Sequence, residues 1–177
     1  MGDDAHSMPA DGVRAVEGGR HPLTEAQAEK WLGSRYSDAA ALAFGEGFEL
    51  ALDGDLDVEA LSAAFAAVTE RHEALSMRFE ADGSAQVYEP PSGIGLRHFD
   101  FRNDREPEAT YAAFCATRTR EPFDPAAPPL VRAWLCRLGA AQWPLLLGAH
   151  HLVFDGRSLP VVLQGLAADY NRLRGGA

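Results

Sequence analysis

The sequence predicts an α/β fold, a mixed sheet covered by helices. Two observations lead there. Segments in which every second residue is apolar alternate along the chain with segments of helical period. One stretch, Trp143 to His150, is apolar almost throughout, which suits an inner strand covered on both faces. The 177 residues suffice for one domain with a real core, and 46% are hydrophobic.

The elements follow in order. Residues 1–21 have no hydrophobic period and read as a flexible lead-in, a tag or linker. Thr24-Glu25-Ala26-Gln27 fits a capping box, with the hydroxyl at the N-cap and Gln at the third helical position; a helix follows to about Gly33. Phe44 to Leu52 reads as a strand, because Phe44, Phe48, Leu50 and Leu52 share one parity. After the turn Asp53-Gly54-Asp55, Asp57 caps a helix whose apolar face is Val58, Leu61, Phe65 and Val68. Met77–Glu80 and Gln86–Tyr88 flank a hairpin turn, and Leu96–Phe101 is a further strand. Glu106–Arg118 is helical, with Tyr111, Phe114 and Cys115 on one side. Pro122, Pro125, Pro128 and Pro129 then impose an extended connector.

Leu130–Leu138 and Trp143–His150 form two strands around Gly139-Ala140-Ala141-Gln142. Ser158 caps the last helix, and Pro160 fits its first turn. Its buried stripe is Leu159, Val162, Leu163, Leu166, Tyr170 and Leu173, and Gly175-Gly176 ends it.

Composition narrows the function. A formal charge of -10 argues against nonspecific binding to nucleic acid or to an anionic membrane surface. No apolar stretch is long enough to span a bilayer, and the N-terminus lacks a signal-peptide core. Cys115 and Cys136 read as reduced thiols of a cytoplasmic protein. Lys30 is the single lysine.

The chemistry concentrates in His150-His151-Leu152-Val153-Phe154-Asp155-Gly156, a polar cluster at the end of the apolar strand. A zinc site fits poorly, since the ligand spacing is wrong and no third ligand is obvious nearby. A hydrolytic triad also fits poorly: there is no Gly-x-Ser-x-Gly elbow, and Ser158 sits at a helix cap. Two readings stay open on these residues alone. The histidines are satisfied at a strand end with Asp155 as a loop residue, or one histidine serves an acyl transferase, acting on an incoming nucleophile beside open space.

Taken together, three ordered stretches resemble a known family. His150-His151-Leu152-Val153-Phe154-Asp155-Gly156 resembles the HHxxxDG signature of nonribosomal peptide synthetase condensation domains. Leu23-Thr24-Glu25-Ala26-Gln27, followed by Trp31, is similar to the opening S-x-A-Q-x-x-x-W motif. Arg71-His72-Glu73-Ala74-Leu75-Ser76-Met77-Arg78-Phe79 resembles the second motif, RHExLRTRF, with Ser76 in place of an arginine. The matches span nearly all of the chain past the lead-in.

The resemblance implies a chloramphenicol-acetyltransferase-like lobe: a two-layer α+β sandwich whose mixed, mostly antiparallel sheet is flanked by helices. Residues 22–177 would be the N-terminal lobe, with the C-terminal lobe of the same domain absent; an excised lobe is favoured over a natural half-length relative. The implied reaction joins an acyl or peptidyl thioester to the amine of an aminoacyl thioester. Both are carried on phosphopantetheine arms of upstream and downstream peptidyl carrier proteins, so no cofactor or metal is bound directly. His151 would be catalytic and His150 structural. Asp155 would pair with an arginine, for which Arg78 is the candidate. Gly156 would let the arm or substrate pass close to the backbone. Arg157, where many relatives carry an aromatic residue, either biases substrate choice or is solvated. Leu159 in place of a tryptophan favours condensation over epimerisation. Two alternatives accompany this reading: a non-catalytic carrier-protein-binding module, and an ester-forming acyltransferase of the same superfamily.

Overall fold

The computed structural model describes residues 19–90 and 93–175. Its centre is the hairpin of β6 (Val131–Arg137) and β7 (Gln142–His150). Strand β2 (Gly45–Asp53) pairs antiparallel with the free edge of β7, and β5 (Leu96–Asp100) pairs parallel with β6. The order β2-β7-β6-β5 is therefore the mixed, mostly antiparallel sheet that was expected. Parallel neighbours need a crossover, and α4 (Pro107–Arg118) lies on the connection between β5 and β6.

Alternation along the strands sorts side chains into two cores. On one face Val131, Ala133, Leu135, Leu145, Leu147 and Ala149 pack with Leu61, Phe65 and Val68 of α3 (Val58–Arg71) and with Val162 and Leu166 of α5 (Ser158–Gly175). On the other, Trp134, Cys136 and Leu146 pack with Tyr111 of α4. Helices thus cover both faces, which adds a third layer to the expected two-layer sandwich. The inner position of β7 explains its apolar run: Trp143 through Leu147 are all buried, and Leu145 is fully so.

Arg71 at the end of α3 pairs with the buried carboxylate of Asp169 on α5, tying these helices together. A smaller sheet, ordered β1-β4-β3, consists of β1 (Arg20–His21), β4 (Gln86–Tyr88) and β3 (Met77–Phe79). Arg20 and His21 register with Val87 and Gln86, and Arg20 also pairs with Glu80 at 2.8 Å. The expected lead-in therefore does not extend to residue 21; backbone pairing has recruited its end into a sheet. Its first 18 residues lie outside the described ones.

The capping box forms as read: Gln27 N donates to Thr24 Oγ1 at 3.2 Å and Thr24 N to Gln27 Oε1 at 3.0 Å, opening α1 (Glu25–Ser34). A second short helix, α2 (Asp38–Ala43), was not anticipated; Ser37 caps it by accepting from Ala40 N. Trp31 of α1 lies against the β3–β4 turn, where Gly83 has φ +73° and a Cβ would stand 2.7 Å from the indole.

β7 ends on a fully buried His150, between the rings of Phe44 and Phe123 with centroids 6.3 Å from each. Its Nδ1 accepts from Leu152 N at 3.1 Å. Burial, aided by the adjacent His151, pushes its pKa down to about 4.

Two outcomes follow. Gly83→Ala combines an unfavourable φ with a clash against Trp31 and lowers unfolding stability by about 1 kcal/mol or more in urea titrations. The unfolded chain takes up a proton at His150 near the ordinary 6.5, the folded chain only near 4. The unfolded state binds more protons in between, so stability falls as pH drops from 6.5 toward 4, by on the order of 3 kcal/mol at full effect. His150→Asn, which keeps an acceptor for Leu152 N, flattens that limb in urea titrations repeated across this range.

Candidate active site

Adjacent strand residues point to opposite faces, and the two histidines at the end of β7 divide accordingly. His150 follows Leu146 and Gly148 on the α4 side and is sealed. His151 follows Leu147 and Ala149 on the side of α3 and α5, and its side chain stays 31% exposed. Its backbone N donates to Phe44 O at 2.8 Å, extending the ladder by one bond.

The His151 ring is held from one side only. Nδ1 lies 2.9 Å from Phe154 O and 3.0 Å from Glu46 Oε1. Both partners are acceptors, so Nδ1 carries the hydrogen and Nε2 of the neutral ring is left with its lone pair. Glu46 is β2's register partner of Ala149 and reaches His151 diagonally on the same face. Sequence reasoning missed it. The signal was present: Glu46 has the same parity as Phe44, Phe48, Leu50 and Leu52, and interrupts an otherwise apolar series.

His151 lines an open groove of about 230 Å³, with Gln27 and Lys30 of α1 on one wall and Leu152 to Asp155 and Ser158 on the other. Gln27 Nε2 bonds Gln86 Oε1 at 3.0 Å and reaches Leu152 O at 3.5 Å. The opening motif and the histidine motif therefore meet across the groove. Among the described residues no cluster of side chains is arranged to hold a metal ion.

Asp155 is an anchor, but its partner differs from the expected one. Its Oδ1 accepts from Arg157 N at 3.0 Å, Ser158 N at 2.9 Å and Ser158 Oγ at 2.8 Å. Those bonds, the Ser158 hydroxyl first and the Ser158 amide next, hold the carboxyl below its usual range. The carboxylate thus caps α5, the role the sequence reading gave to Ser158; a charged acceptor binds free helix amides more strongly than a hydroxyl. Arg78 is engaged elsewhere. It pairs with Glu89, its diagonal neighbour across the β3–β4 ladder, and Asp155 makes no arginine ion pair among the described residues. Gly156 has no positive φ, and a Cβ there would meet nothing within 4 Å, so nothing described in this chain demands glycine. Arg157 is exposed.

Comparison with known proteins gives the family. The family model described as Condensation domain matches residues 18–177. Chondramide synthase cmdD of Chondromyces crocatus is 35% identical over 153 residues, covering 84% of this chain and 4% of that protein. Surfactin synthase subunit 1 of Bacillus subtilis (strain 168) is 32% identical over 155 residues, covering 85% and 4%. The first condensation domain of the calcium-dependent antibiotic synthetase, solved with a substrate analogue, superposes with a TM-score of 0.79 at 31% identity. That match covers 89% of this chain and 38% of the solved one. The starter condensation domain of rhizomide synthetase RzmA shares the fold with a TM-score of 0.81 at 24% identity, covering 89% of this chain and 38% of that one. The chain thus spans well under half of the solved domains and a few per cent of the synthetases. By family model, by relatives and by fold, it belongs to the condensation-domain family of nonribosomal peptide synthetases.

Proposed function

We propose that this chain is the N-terminal lobe of a condensation domain that forms amide bonds between carrier-bound substrates. The observation that carries this is His151: a strand-end imidazole with Nδ1 held and Nε2 unengaged, beside an open groove. An aminoacyl amine reaching Nε2 is either deprotonated or held in line with the thioester carbonyl. The new C–N bond forms as the C–S bond breaks, and the amine proton passes through Nε2 to the departing thiolate. Amines attack thioesters readily, so orientation supplies much of the acceleration.

Asp155 takes no part in proton transfer on this reading; it fixes the turn that carries Phe154 O to Nδ1. The phosphopantetheine arms that bring both thioesters belong to carrier proteins. The open space at Gly156 supports passage of such an arm, and the exposed Arg157 beside it would meet the acceptor on this reading. The reading puts the chain in the cytoplasm, where the free thiols Cys115 and Cys136 stay reduced. Burial raises both of their pKa values, that of Cys136 to about 12, which keeps them inert.

Two measurements test the proposal. In the complete domain containing this chain, His151→Ala lowers single-turnover condensation by about 10²–10⁴-fold if Nε2 acts as a base; near-unchanged rates exclude both roles. The 177-residue chain by itself lacks one wall of the reaction channel on this reading and turns over donor and acceptor thioesters negligibly. Turnover at the rate of a complete domain overturns the assignment as a lobe. Tight binding of phosphopantetheinylated carrier protein, together with an unaffected His151→Ala domain, favours the binding-module alternative.

A further inference from the structure

The Glu46 carboxylate is an anomaly in the strand that carries it. Its neighbours of the same parity, Phe48, Leu50 and Leu52, all pack against the main core. Its side chain is only 28% exposed, and its Oε2 is buried without a hydrogen-bond partner among the described residues. Holding a carboxylate there costs free energy that an apolar side chain would not. The other oxygen, Oε1, makes one contact that uses the charge: 3.0 Å to Nδ1 of His151. No other acidic side chain is paired with that ring among the described residues. Asp155, nearest along the chain, is committed to Ser158 and the amide of Arg157.

We infer that Glu46 is a positioning residue for His151, deepening the reading above, on which it rests. Phe154 O takes the Nδ1 hydrogen, and the Glu46 carboxylate 3.0 Å from the same nitrogen adds an electrostatic preference for Nδ1–H, which together fix the tautomer of the ring. When Nε2 accepts the amine proton, the ring becomes an imidazolium beside the Glu46 carboxylate. Its charge at 3.0 Å then stabilises the cation until Nε2 returns the proton to the leaving thiolate. The histidine pair thereby acquires opposite tautomers. His150 accepts at Nδ1 from Leu152 N, so its hydrogen is on Nε2; His151 has the reverse.

Long-range 1H–15N spectra of the chain labelled with 15N-histidine, at about pH 8 where histidine is ordinarily neutral, read this directly. His151→Ala and His150→Asn assign the signals. The expected result is an Nδ1–H pattern for His151 and an Nε2–H pattern for His150. In Glu46→Leu the His151 signals move toward a mixture of tautomers while those of His150 hold still, showing that the fold is kept. Glu46→Gln retains an acceptor oxygen without the charge. It keeps the Nδ1–H pattern and moves the Nδ1 proton upfield, which decides the matter if Glu46→Leu does not fold. An Nε2–H pattern for His151 in the unaltered chain, or His151 signals that ignore the Glu46 substitutions, overturns the inference. The spectra report the tautomer itself, so a failure of amide formation in the complete domain leaves their result standing and is told apart from it.

Discussion

Everything at this site depends on the alternation of side chains along β7. Because the strand is flanked by β2 and β6, its backbone is fixed by hydrogen bonds on both edges, and each residue is committed to one face or the other. At its end this commitment separates two chemically identical side chains. His150 falls on the α4 side, where Phe44 and Phe123 enclose it and hold it neutral. His151 falls on the other side, where a carboxylate and a carbonyl lie against one nitrogen and the residue lines an open groove. A one-residue slip of β2 against β7 would turn Glu46 to the other face and away from His151.

The three motifs are joined structurally as well as by order. Gln27 completes the capping box of α1 and also reaches the Leu152 carbonyl. Arg71 ties α3 to α5 through Asp169, and Phe79 is fully buried with its amide bonded to Pro125 O at 2.8 Å. Arg78 braces the hairpin through Glu89. The second motif therefore builds the frame, and the candidate site sits in the third.

Much of this was legible in the sequence, because the strands and long helices bury one face each and a buried face leaves a period. The caps at Thr24 and Asp57 were legible for the same local reason: their partners lie three residues away. Helix α2 was not, since six residues give too few turns to show a stripe and none of them is buried. The Asp155–Ser158 turn and the Arg78–Glu89 pair were misread because each depends on which of several nearby partners wins in three dimensions. Glu46 lies 105 positions from His151; only the register of β2 against β7 brings them together, although the break in apolar parity marked the position.

The contact between Trp31 and Gly83 has a consequence for how such chains are recombined. The helix that supplies Gln27 and Lys30 to the groove rests on the tip of a hairpin about fifty residues further along the chain. Segments α1 and β3–β4 are packed together at Trp31 and Gly83 and joined by the Gln27–Gln86 bond. A chimera that takes them from different parents misplaces a wall of the groove while every residue of the histidine motif is still present.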